Sequence, residues 1–158
     1  MIFYFSATGN SRHAAKEIAK ATGENIISVT DCLKNNNFNF SVNNGEIIGF
    51  ICPVYNFGLP ITVIDFMKNL NIKTNNNYVF TVATYGGFSG GASKMIKESL
   101  VAKGIDVKAQ YSVRMPDTWT PAYDLSDRKK VAETNRRADI KISRIIKQIS
   151  KKAKGNFD

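Results

Sequence analysis

The sequence is poor in the residues that coordinate metals or staple small secreted folds. Its 158 residues include two cysteines and one histidine. Cys32 and Cys52 stand at no metal-binding spacing, and in a reducing compartment both read as free thiols. No apolar run approaches the ~18 residues needed to cross a bilayer. No leader precedes the first strand-like run, so the expected location is cytoplasmic. Two nucleotide signatures are missing as well. The first glycine-containing turn lacks the lysine of Gly-x-x-x-x-Gly-Lys-Ser/Thr, and it does not match Gly-x-Gly-x-x-Gly.

What is present suits a globular domain. A hydrophobic content of 43% is ordinary, and the length allows a sizeable core. There is no internal repeat and no linker, so residues 1–158 read as one domain. Residues 1–5 are apolar without alternation, the pattern of a parallel strand buried on both faces. From Ala14 onward, Ala14, Ala15, Ile18 and Ala19 fall on one side of a helix. Between strand and helix lie Ser6, Ala7, Thr8, Gly9, Asn10 and Ser11. Such a turn aims backbone N–H groups and the positive end of a helix dipole at one point, which suits a phosphate dianion. Ser6, Thr8 and Ser11 can add hydroxyl donors. The plainer reading is an ordinary turn capped by Asn10 or Ser11.

Further along, residues 26–29 predict a second strand. Residues 30–45, rich in asparagine, predict mostly loop with at most a short helical turn. Residues 46–52 predict a third, buried strand, and residues 59–70 a helix opened by Pro60. Residues 78–83 predict a fourth strand, and 92–103 a helix closed by Gly104. Residues 107–115 alternate, which predicts a fifth strand at a sheet edge with one wetter face. A loop over 117–126 leads to a long final helix over 127–154. Strands alternating with helices imply a parallel sheet covered on both sides.

Two more loops follow strand ends. Pro53, Val54, Tyr55, Asn56, Phe57 and Gly58 follow the third strand. Thr84, Tyr85, Gly86, Gly87 and Phe88 follow the fourth. In an open parallel sheet, ligands sit beyond the carboxyl ends of the strands where the winding reverses, so the three loops should share one crevice. The phosphate turn supplies one part of it. Aromatics on glycine-rich backbone supply the rest, suited to stacking on a flat ring.

Ser-Ala-Thr-Gly-Asn-Ser resembles the FMN-phosphate loop of flavodoxins, usually Ser/Thr-x-Thr-Gly-Asn-Thr/Ser. Pro-Val-Tyr-Asn-Phe-Gly-Leu-Pro and Ala-Thr-Tyr-Gly-Gly resemble the two flavin-flanking loops in flavodoxin domains of flavodoxin–ferredoxin fusion proteins. The resemblance spans residues 1 to about 152. It implies a doubly wound, five-stranded parallel α/β sheet with helices on both faces and strand order 2-1-3-4-5, carried over from the family. The fifth strand lacks the insertion of long-chain members, which places the chain with the short-chain type. The resemblance further implies FMN, bound by Ser6 to Ser11 and by the loops at 53–58 and 84–88. The ring would lie between Tyr55 and Tyr85 or Phe88. The implied function is electron transfer through a flavin semiquinone, with no catalytic residues of the protein's own. An NAD(P)H-dependent FMN or quinone reductase on the same scaffold is the alternative.

Other residues read more plainly. His13 is a solvated helix residue, Cys52 a small buried one, and Trp119 either a cover for the crevice or an anchor for the final helix. The net charge of +9 departs from the acidic habit of mobile flavodoxins. From Ser126 on there are eleven basic and four acidic residues. One reading is a solvated helix face with cations favourably placed near a helix C-terminus. The sharper expectation is docking of a redox partner such as an acidic ferredoxin, steered by charge, with membrane contact the lesser option and nucleic acid not expected.

Overall fold

The computed structural model describes residues 1–157. Along the chain run β1 (Ile2–Tyr4), α1 (Asn10–Thr22), β2 (Ile26–Ser28), α2 (Val29–Lys34), β3 (Asn39–Ser41), β4 (Ile47–Pro53) and α3 (Ile61–Asn69). They are followed by β5 (Asn71–Lys73), β6 (Tyr78–Tyr85), α4 (Ala92–Val101), β7 (Ala109–Arg114), α5 (Arg128–Ser150) and β8 (Gly155–Phe157). The main sheet has the order β2-β1-β4-β6-β7-β8, and every neighbouring pair is parallel. Its first five strands reproduce the expected order.

Successive residues of a strand point to opposite faces, and β1 feeds two separate cores. Ile2 joins Ala14, Ile18, Phe80, Tyr111, Ile142 and Ile145 beneath α1 and α5. Phe3 joins Phe50, Phe66, Val79, Ile96 and Leu100 beneath α3 and α4. The Phe3 and Phe50 rings stack with centroids 5.1 Å apart. Strands β4 and β6 are buried almost throughout; the apolar run of β4 predicts this, while β6 also buries Thr81 and Thr84.

The structure departs from expectation in three places. The final helix stops at Ser150, and the chain reverses through Lys152, at φ 49°, to add β8 as a sixth strand beside β7. Phe157 stacks on Tyr111 at 5.2 Å, and the Tyr78 hydroxyl donates to the Ala153 carbonyl at 2.6 Å. The expected edge strand is therefore interior: Gln110 and Ser112 of β7 are buried despite their polarity. Residues 30–45 are more ordered than a loop. Ser28 caps α2 by accepting the Asp31 N–H, and β3 pairs in parallel with β5 as a small second sheet. The asparagines hold this region together through their side chains. Asn71 Nδ2 donates to Asn39 Oδ1 at 2.9 Å, and Asn77 Nδ2 donates to the carbonyls of Asn43 and Glu46.

Candidate functional site

Strands β1, β4, β6 and β7 all end at the same edge of the sheet, so four loops meet there. The first turns from β1 into α1 at Gly9, whose φ of 102° is left-handed and suits glycine. No side chain caps α1, and its first turn carries no acidic residue. The N–H groups of Asn10, Ser11 and Arg12 thus remain the unpaired donors of a helix start, with a partial positive charge behind them. Ser6 Oγ accepts the Gly9 N–H at 3.1 Å, while Ala7 and Thr8 are exposed.

The loop after β4 closes on itself. The N–H of Tyr55 donates to Gly58 O and the N–H of Gly58 to Tyr55 O, both at 2.9 Å. Between them Asn56 and Phe57 have φ of 46° and 63°, the left-handed pair of a type I′ turn. Asparagine tolerates this region, whereas phenylalanine there is an outlier. The Phe57 side chain is 69% exposed. The Val54 N–H donates to Thr84 O, which joins this loop to the end of β6.

The loop after β6 is held against the previous one. The Gly91 N–H donates to Phe57 O at 2.7 Å, and the rings of Phe57 and Phe88 lie 6.0 Å apart. A Cβ on Gly90 would stand 2.6 Å from Phe57 O, and its φ of 56° is again left-handed. At the edge of β4, burial pushes the Cys52 thiol up to about 12, which leaves it inert at neutral pH.

These loops carry the features of an anion cradle beside exposed aromatics. A family model described as a flavodoxin domain matches residues 1–142. The chain belongs to the flavodoxin domain family. No curated protein matches it. Among solved structures it is similar to the Streptococcus pneumoniae TIGR4 flavodoxin, at 17% identity and a TM-score of 0.52, covering 89% of this chain and 97% of that one. A flavodoxin from the domain Archaea is similar at 18% identity and a TM-score of 0.52, covering 92% and 96%. An azoreductase from Bacillus anthracis str. Sterne is similar at 10% identity and a TM-score of 0.52, covering 92% and 97%. At such identities the likeness is one of fold, and membership of a flavin-binding family rests on the family model.

In this flavodoxin domain, not every expected donor faces outward. The Ser11 side chain is buried, and its hydroxyl lies 2.8 Å from Thr84 Oγ1, locking α1 to β6. Asn10 Nδ2 donates to Pro116 O at 2.9 Å. Asn10 and Ser11 therefore offer the site their backbone N–H groups rather than their side chains. Thr84 likewise spends its hydroxyl inward. Tyr55 packs edge-on against Phe5 at 6.4 Å, and burial raises its phenol.

Of the fourth loop, which follows β7, sequence reasoning weighed Trp119 alone and missed Asp117, Thr118 and Tyr123. Thr118 Oγ1 lies 3.2 Å from Thr8 Oγ1. The Asp117 carboxylate fills the space a Gly86 Cβ would need, and a Gly87 Cβ would lie 3.0 Å from the Tyr123 hydroxyl. Arg114 Nε donates to Gly86 O at 3.0 Å. The signal available was the run Pro116-Asp117-Thr118-Trp119, polar and aromatic straight after a strand. The Trp119 side chain is 64% exposed, so it anchors nothing in the core.

Proposed function

We propose that the chain is an FMN-binding electron carrier of the flavodoxin type. The observation that carries this reading is the uncapped start of α1, flanked by the exposed Thr8 hydroxyl, at the same edge as the paired loops of Tyr55–Gly58 and Tyr85–Phe88. Three free backbone donors and no nearby carboxylate in the first turn match a terminal phosphate, and a dinucleotide has no fingerprint here to hold its second half. The residues present fit the cofactor.

In this reading the N–H groups of Asn10, Ser11 and Arg12, with the Ser6 and Thr8 hydroxyls, hold the phosphate. The backbone of Val54 to Gly58 and Thr84 to Gly87 meets the polar edge of the ring. Aromatic side chains on the two loops exclude water from its faces. Bound FMN supplies one-electron redox chemistry, and the protein sets its potentials and exposure. Redox partners then approach the carboxyl edge of the sheet, in the cytoplasm.

The test is direct. The purified protein should be yellow and should release FMN, not FAD, on denaturation. Stepwise reduction should resolve two one-electron midpoints. A single two-electron midpoint, together with rapid NAD(P)H oxidation by the protein alone, would replace this reading with the reductase alternative.

A further inference from the structure

Charge is divided unequally between the two helical layers. Helices α1 and α5 together hold eleven basic and three acidic residues, whereas α3 and α4 hold three and two. Both α1 and α5 run from the carboxyl to the amino edge of the sheet, side by side. His13 Nε2 meets Asp139 Oδ1 at 2.7 Å, which fixes their register. Below that contact both helices expose cations, with Glu17 the one exposed acid among them. Lys16 and Lys20 stand one turn apart on α1, and Arg144, Lys147 and Lys151 follow at spacings of three and four on and just beyond α5.

All five are exposed, and among the described residues none of them forms an ion pair. Ion pairs lie elsewhere: Lys68 with Asp65 and Lys94 with Glu98 in the opposite layer, and Arg136 and Arg137 with Glu133 nearer the start of α5. Two parallel helices packed about 8–10 Å apart form a flat raft of cations, not a groove. The exposed aromatics Tyr55, Phe57, Phe88 and Trp119 belong to the loops at the carboxyl edge, and Ile140 is the large apolar side chain exposed on α5. No helix among the described residues is long and apolar enough to cross a membrane.

We propose that the α1–α5 face rests on an anionic membrane surface, held by charge without insertion. A planar array of unpaired cations is complementary to a plane of acidic headgroups. A nucleic acid would be met with neither a protruding element for a groove nor an aromatic for base stacking on this face. A redox partner must reach the carboxyl edge, and a docking surface on the flank of the sheet leaves that edge open. In this proposal the excess charge serves location, and partner docking is left to the carboxyl edge.

Sedimentation of the full chain with vesicles of mixed phosphatidylglycerol and phosphatidylcholine, against phosphatidylcholine alone, tests this. Binding should require the anionic lipid and weaken steeply with salt. Each cation near such a surface is worth about fivefold in affinity. The triple variant Arg144→Glu, Lys147→Glu, Lys151→Glu should therefore lose at least about a hundredfold. Reversal of Lys68 and Lys103 on the opposite layer should cost far less. Should the triple variant fold poorly, Lys16→Gln with Lys20→Gln on α1 reads the same face, with an expected loss of about twenty-five-fold. Absence of binding to the mixed vesicles, or equal losses from reversals on both layers, would overturn the proposal. So would salt-sensitive electron transfer from an acidic ferredoxin, or duplex RNA binding, that the triple variant abolishes while vesicles are never bound.

Discussion

The backbone N–H of Gly91 donates to the carbonyl of Phe57 across 2.7 Å, which ties together the two aromatic loops at the carboxyl edge. Gly90 makes the approach possible, since a Cβ there would stand 2.6 Å from that carbonyl and 2.8 Å from Val54 Cγ1. Gly90→Ala combines overpacking with a left-handed φ and should destabilise the protein by about 1–3 kcal/mol in urea unfolding. Flavin affinity should fall with it. A variant of unchanged stability would mean that the loops part without cost.

Thr8 offers an exposed hydroxyl beside the uncapped helix start. Hydrogen bonds to charged groups are worth about 1.5–3 kcal/mol, so Thr8→Ala should weaken FMN binding roughly ten- to hundredfold. Riboflavin, which lacks the phosphate, should lose little. Calorimetric titration of both ligands separates the outcomes, and equal losses would remove Thr8 from the phosphate site.

Asn56, at φ 46°, sits where a β-branched residue is strained. Asn56→Val should cost about 1–2 kcal/mol in stability, the ordinary penalty of a left-handed residue with a Cβ. Because this turn faces the ring in the proposed site, the gap between the two one-electron midpoints should narrow as well. Asn56→Gly should keep both properties close to the parent. Potentiometric titration of the three proteins gives the comparison.

Tyr78 links the sheet to the last strand through its bond to Ala153 O. Burial, reinforced by the bond to Tyr111, holds its phenol neutral well above the ordinary range. A phenol whose ionisation is raised by folding stabilises the fold below its unfolded value, about pH 10, and that contribution is lost as pH climbs beyond it. Ultraviolet titration should therefore show Tyr78 ionising only as the protein unfolds in base. Tyr78→Phe should lower stability at neutral pH by about 1 kcal/mol and loosen β8. Amide exchange faster at Asn156 and Phe157 than at Tyr111 would report that loosening.

Much of this architecture was legible from residue order because the forces are local. The unbroken apolar run at β4 can bury both faces only inside a parallel sheet, and Gly9 marks a turn that opens a helix. The loops at Ser6–Ser11, Tyr55–Gly58 and Tyr85–Phe88 follow from those strand ends. Residues 151–157 were not legible. A three-residue strand has no period to read, and β8 is held by Phe157 stacking on Tyr111 and by the Tyr78 bond to Ala153 O just before it.

The sequence by itself determined which chemical groups stand at the carboxyl edge, because strand ends and glycine turns are written in adjacent residues. Only the tertiary structure decided where each group points. Ser11 turns inward to Thr84, while Thr8 stays outside beside Thr118, because the rotation of α1 against β6 is set by packing over the whole helix. Tertiary structure also laid α1 beside α5, joined through His13 and Asp139. Charge along a chain is a sum over residues, whereas charge on a face depends on which helices the fold lays side by side.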